Sequence, residues 1–158
     1  MVKITTPPDD AMVMQKIRNF CSFQERYVRE VEEKLRDWAV QKRKISSIVQ
    51  QLKKDNYLNE ERFARSYASG KFRNNKWGRV KIEFELSIRG ISEELTSKAI
   101  QEIPEEDYQI TLQNLILSKQ KEIKPEKVLN VRDKILNFVS GKGYETSLVI
   151  DLMNKLKI

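Results

Sequence analysis

The nine residues Val80–Ile88, VKIEFELSI, decide how this chain is to be read. Val80, Ile82, Phe84, Leu86 and Ile88 alternate without a break with Lys81, Glu83, Glu85 and Ser87. A period of two is a strand signature. Wound as a helix, the same residues put Ile82 and Leu86 on one stripe, and Val80, Phe84 and Ile88 on another nearly opposite. A helix is nonetheless the expected form. No second stretch carries a strand pattern to pair with this one, and the surrounding sequence repeats as helices. One apolar side then enters the core of its own unit, and the other meets a neighbouring unit or a partner.

On either side, helix punctuation recurs. Asn59 is placed to cap a helix bearing Phe63, Ala64 and Tyr67. Lys71 to Gly78 reads as a loop. Gly90 fits the residue after a helix end, where positive φ is needed. Ser92 can cap a helix with Leu95, Ala99 and Ile103, and Pro104 followed by Glu105, Glu106 and Asp107 starts the next. Upstream, Pro7, Pro8, Asp9 and Asp10 are start signals for a helix with Val13, Ile17, Phe20 and Cys21. Ser22 to Glu25 has the form of a capping box. It would open a helix bearing Tyr27, Val31, Leu35 and Trp38. The basic run Lys42, Arg43, Lys44 precedes a helix with Ile45, Val49 and Leu52. Downstream, Pro125 opens a helix with Val128, Val131, Ile135 and Phe138, Gly141 and Gly143 break it, and the last helix carries Leu148, Leu152 and Leu156.

These signals make nine helices in three groups of three, with a period of roughly 50 residues. Ile17, Tyr67 and Leu117 recur in order, as do Leu35, Leu86 and Leu136, and Ile45, Leu95 and Leu148. The expected fold is all-α: three tandem three-helix repeats stacked into an elongated, curved array with shared cores. The divisions are a tail at 1–8 and repeats at 9–57, 58–103 and 104–158. A single compact nine-helix bundle is the competing architecture.

Composition narrows the function. Among 158 residues there are no histidines and one cysteine, Cys21. The commonest general base is missing, no intrachain disulfide can form, and zinc-type ligands are too few. No Gly-rich phosphate loop is present, since Gly70–Gly78 lacks the Gly-Lys-Ser/Thr ending. Acidic pairs such as Glu93-Glu94 and Glu105-Glu106 fall at helix starts, where they complement the macrodipole. Cys21, at an apolar helical position, reads as a buried structural thiol. Neither catalysis, a metal nor a cofactor is expected. No apolar run approaches a membrane span, no signal-peptide core opens the chain, and the cytoplasm is the expected compartment.

The formal charge is +7, which favours polyanionic surroundings: nucleic acid, or a protein coated on it. It is unevenly spread. Between positions 71 and 89 stand Lys71, Arg73, Lys76, Arg79, Lys81 and Arg89 against only Glu83 and Glu85, with Phe72 and Trp77 among them. Cations interleaved with aromatics can contact phosphate and stack on bases, or meet an acidic protein surface. Lys42, Arg43 and Lys44 form a second basic patch. From Glu93 to Asp107, six acidic residues stand against one lysine.

The stretch 57–91 resembles the RecX family of recombinase regulators. Tyr57, Leu58, Asn59, Arg62, Phe63 and Ala64 match the first half of the family's middle repeat. Gly78, Lys81, Ile82, Glu85, Leu86, Arg89, Gly90 and Ile91 match the second half, without a gap. Cys21, Glu25, Tyr27, Glu30, Val31, Lys34 and Leu35 are similar to an earlier family stretch. The third repeat matches only in apolar spacing and in Gly143-Tyr144. Asn56 departs from the family's glycine, although asparagine tolerates the left-handed conformation. Glu60 and Glu61 replace an aspartate.

The resemblance implies a non-enzymatic protein that binds the RecA recombinase filament on single-stranded DNA; a monomer is expected, with single- or double-stranded DNA as a further candidate partner. The protein would lower strand exchange, ATP hydrolysis and coprotease activity. On this view Tyr57, Leu58, Phe63, Ala64, Gly78, Ile82, Leu86, Gly90 and Ile91 are scaffold. Contacts fall to Lys71, Arg73, Lys76, Trp77, Arg79, Lys81 and Arg89, with Lys42, Arg43 and Lys44 as a second patch. The alternative reading is a general nucleic-acid-binding helical-repeat protein. A third is an adaptor that uses the two-sided helix near Phe84.

Overall fold

A computed structural model describes residues 8–123 and 130–158. Among them are nine α-helices and no strand. The helices are α1 Asp10–Phe23, α2 Val28–Asp37, α3 Lys42–Lys54, α4 Glu60–Asn75, α5 Arg79–Ile88, α6 Glu93–Gln101, α7 Glu105–Glu122, α8 Val131–Gly141 and α9 Thr146–Lys155. The alternating segment is thus helical from end to end. Apart from Pro8, the expected tail lies outside the described residues, as do Pro125 and Val128.

The caps follow local chemistry. Asp9 accepts from the Ala11 N–H, Asn59 from that of Arg62 and Ser92 from that of Leu95. Each side chain satisfies a donor that the first turn of a helix leaves open.

The repeat is plainest at the end of the second helix in each group. After α2, the Val40 N–H donates to the Leu35 carbonyl and Ala39 has φ +58°. After α5, Ile91 donates to Leu86 and Gly90 has φ +80°. After α8, Tyr144 donates to Val139 and Gly143 has φ +97°. In all three, a left-handed residue turns the chain and the next apolar side chain is driven back into the core. These turns set the register between repeats. Leu35, Leu86 and Val139 are equivalent, not Leu136, and Ile45 corresponds to the buried Thr96 and Val149, not Leu95 and Leu148. On α1, α4 and α7 likewise, Ile17 is buried but Tyr67 and Leu117 are only half-buried. The 50-residue spacing found the period but missed the register by up to a turn, because linker lengths differ among the repeats.

Three other expectations need correction. Ser22 caps nothing: α1 continues through it to Phe23, since Cys21 is buried one turn beyond Ile17. Its neighbour Glu25 pairs instead with Arg62, 2.5 Å away. Lys71 to Gly78 is mostly helix, with α4 running to Asn75 and only residues 76–78 linking it to α5. The burial of Phe72, one turn past the buried Ala68, carries the helix onward. Lys42, Arg43 and Lys44 do not precede α3 but form its first turn.

The cores are not evenly shared. Val13, Ile17, Cys21, Val31, Leu35, Ile45, Val49, Leu52 and Leu58 make one cluster within α1–α3 and the turn after it. Burial there pushes the Cys21 thiol up to about 11, so it stays protonated. A second cluster runs without interruption through α4–α9, from Phe63 to Met153. At the border between the two cores stand the charged Glu25, Glu60 and Arg62, and Tyr27 reaches across to pack against the second cluster.

Candidate functional site: a cationic face around Trp77

The α4–α5 connection is held in place by the third repeat. Three successive N–H groups at the start of α5 have no side-chain cap of their own. Gly78 donates to the Lys142 carbonyl at 2.8 Å, Arg79 to the Tyr108 hydroxyl at 3.1 Å and Val80 to the Gly143 carbonyl at 2.9 Å. So close an approach requires glycine on both sides. A Cβ on Gly78 would strike the Gly143 backbone, and one on Gly143 would strike Lys81.

Beneath this joint, the Arg79 guanidinium lies over the Tyr108 ring and pairs with Glu145 at 2.9 Å and with Glu105. Burial pulls its pKa down, but hydrogen bonds to Glu145 and Glu105 more than compensate and hold it above the ordinary arginine value. The Tyr108 hydroxyl donates to Glu145. Burial first, and that bond second, push its pKa well above the usual tyrosine range. The Tyr144 hydroxyl donates to the Lys76 carbonyl at 3.0 Å and fixes the link itself.

Trp77 is half-buried on this support. The Lys81 ammonium lies 4.4 Å from its ring centre and that of Lys71 lies 4.9 Å away. Lys71 also approaches the Tyr67 ring, which carries the Arg89 guanidinium at 4.8 Å. The result is a ladder of alternating cation and ring: Arg89, Tyr67, Lys71, Trp77, Lys81. Tyr67 is itself packed between Phe63 and Trp77, and its buried hydroxyl has no partner among the described residues.

The candidate contacts divide by what else they do. Arg79 holds the second repeat to the third, and Arg89 pairs with Glu85 at 2.8 Å. Lys71, Arg73, Lys76 and Lys81 form no ion pair among the described residues. Arg73 and Lys76 are exposed, the latter at φ +59° with its ammonium on the Arg73 carbonyl. In the second patch Lys42 and Arg43 are exposed and form no ion pair among the described residues, whereas Lys44 reaches Asp10 at 2.9 Å. Of the residues assigned to the scaffold, Leu58, Phe63, Ala64, Ile82, Leu86 and Ile91 are buried. Tyr57 is half-buried against the first core, and Gly90 takes the turn already described.

The sequence reading missed the acids that engage Arg79, which lie far along the chain. It also missed Arg26, buried with its guanidinium 3.6 Å from the Phe20 ring centre and bonded to the Phe20 carbonyl and Glu30. A capping-box reading of the preceding residues hid that role. Among the described residues there is no group of three or more His, Cys, Asp or Glu side chains able to hold a metal. No described helix is long and apolar enough to cross a membrane.

Residues 59–100 match the family model described as RecX, second three-helix domain. The Regulatory protein RecX of Bacillus cytotoxicus is 27% identical over 139 residues, covering 88% of this chain and 52% of that protein. The Streptococcus sanguinis protein of the same name is 29% identical over 126 residues, covering 80% and 48%. The chain thus spans about half the length of the curated relatives it matches. The crystal structure of RecX from Lactobacillus salivarius superposes with a TM-score of 0.81 at 21% identity, covering 93% of this chain and 96% of that one. Another, of regulatory protein RecX, gives 0.78 at 19%, covering 87% and 68%. Residues 59–100 thus match the RecX second three-helix domain, within a chain whose described residues share the all-helical fold of the RecX crystal structures.

Proposed function

We propose that the chain is a non-enzymatic regulator of the bacterial recombinase RecA. It binds the nucleoprotein filament on single-stranded DNA in the cytoplasm and lowers its recombinase, ATPase and coprotease activities. DNA repair and the SOS response are the processes it would restrain. The observation that carries this reading is the match of residues 59–100 to the RecX second three-helix domain. The face around Trp77 supports it with cations that form no ion pair among the described residues, on a base bonded to the third repeat. Lys71, Arg73, Lys76 and Lys81, without ion pairs among the described residues, would meet phosphate or an acidic subunit surface, with the half-buried Trp77 beside them. Arg79 and Arg89 act in this reading by holding the face in shape. Lys42 and Arg43 supply a second point of attachment.

The test is single-strand-dependent ATP hydrolysis by the cognate RecA with this protein titrated in. Inhibition is expected at stoichiometric amounts. The double variant K71E/K81E should weaken it by about tenfold or more, as for hot-spot residues at an interface, with its fold intact. Absence of inhibition at stoichiometric excess refutes the proposal.

The Lys71–Trp77–Lys81 ladder also favours a second reading, direct binding of nucleic acid. Equal binding to bare and recombinase-coated single strands, with a steep salt slope, would select it.

A further inference from the structure

α5 has a second face that the cationic ladder does not use. Val80, Phe84 and Ile88, one turn apart, are 50%, 61% and 54% exposed. They make an apolar stripe about 12 Å long at 1.5 Å per residue. Between α5 and α6 lies a groove of about 490 Å³, with Val80, Phe84, Ile91 and Thr96 among its lining residues. Glu83 and Glu93 also line it, and no basic residue does. Neither carboxylate forms an ion pair among the described residues. In a chain of net charge +7, this is an acidic, apolar recess.

We infer that the α5–α6 groove docks a basic amphipathic helix of another protein. Val80 and Phe84 line the groove one turn apart and Ile88 continues the stripe beyond it, an apolar floor for the i, i+3, i+4 and i+7 anchors of a helix laid along it. The two unpaired carboxylates select lysine or arginine on its flanks and repel a polyanion. A second copy of this chain fits poorly, because a two-fold pairing would gather the Glu83 and Glu93 carboxylates of both copies with no cation among them. The groove is also preformed. Ile82 and Leu86 are fully buried on the inner side of α5, and its first turn is bonded to the third repeat. Docking therefore needs no rearrangement of α5, which keeps its ordering cost low.

The experiment uses the full chain and a fluorescein-labelled peptide of about fifteen residues, long enough to form a helix on binding. Leucines at i, i+4 and i+7 form one face and lysines the other. One control scrambles the leucine positions, and another replaces lysine by glutamate. Fluorescence anisotropy should show binding of the basic amphipathic peptide alone. F84S should weaken it about tenfold or more, as truncating an interface anchor does. V80S should weaken it less, and E83Q/E93Q should remove most of its salt dependence. K71E/K81E should leave it unchanged, which separates this site from the proposed RecA contact. Equal binding of the scrambled peptide, or wild-type affinity in F84S, overturns the inference. So does a Phe84-dependent dimer in sedimentation, or an F84S chain that no longer folds, since either would give the stripe another occupant.

Discussion

Between the first and second repeats, contact is made by side chains. Arg62 reaches back to Glu25 and to Asn56, Glu60 accepts from the Val28 N–H at 3.2 Å, and Tyr27 packs on Phe63 at 5.1 Å. Between the second and third, main chain meets main chain across Gly78 and Gly143, over an unbroken core. Flexible charged side chains tolerate adjustment and solvent. Backbone bonds closed over paired glycines do not. The comparison teaches that the last two repeats move as one body and that the first is a separate unit joined by adaptable contacts.

Two tryptophans allow the difference to be broken experimentally, because Trp38 packs against the first core and Trp77 against the second. The largest effect is expected from G143V. A β-branched residue at φ +97°, placed against Lys81, should cost roughly 3 kcal/mol or more. Urea unfolding followed by Trp77 should shift strongly, while the Trp38 transition should move little. Coincident shifts of both signals would mean that the repeats unfold as one.

Y108F should come next. It removes the acceptor of the Arg79 N–H and the donor to Glu145, at a cost of about 1–3 kcal/mol for groups left unpaired in a buried setting. The same denaturation, read through Trp77, checks it. R62A should be smallest, about 1 kcal/mol or less, because the pair with Glu25 is part-exposed and screened by water. Its effect should shrink in high salt, whereas that of Y108F should not. A salt-independent loss in R62A would show that its packing matters more than its charge.

Much of the scaffold could be read from sequence because it rests on local chemistry. Asn59, Ser92 and Gly90 announce their turns within three residues. Ile82 and Leu86 keep helical spacing despite the alternation around them, and the exposed Val80, Phe84 and Ile88 are the other half of that same pattern. What escaped depends on distant partners. Nothing near Arg79 predicts that it bonds Glu105 and Glu145, 26 and 66 residues away. Gly70, Asn74 and Asn75 are weak helix formers, so the end of α4 reads as loop until Phe72 is seen in the shared core. For the candidate site, the charges and Trp77 were visible as a cluster in sequence. Their division was not: Arg79 and Arg89 are held by acids, two of them far along the chain and one on the same helix, while Lys71, Arg73, Lys76 and Lys81 form no ion pair among the described residues.

The Gly78–Gly143 joint also has a consequence for synthesis on the ribosome. The first repeat can bury its core as soon as Leu58 has emerged. The opening turn of α5 must wait until Gly143 and Tyr108 have both been made before its N–H groups find their acceptors. During that interval the alternating residues Val80–Ile88 lack the lock that favours helix over strand, with unburied apolar side chains. In that interval the segment is expected to be open to strand-like association and chaperone capture, for a time set by elongation through residues 80–143.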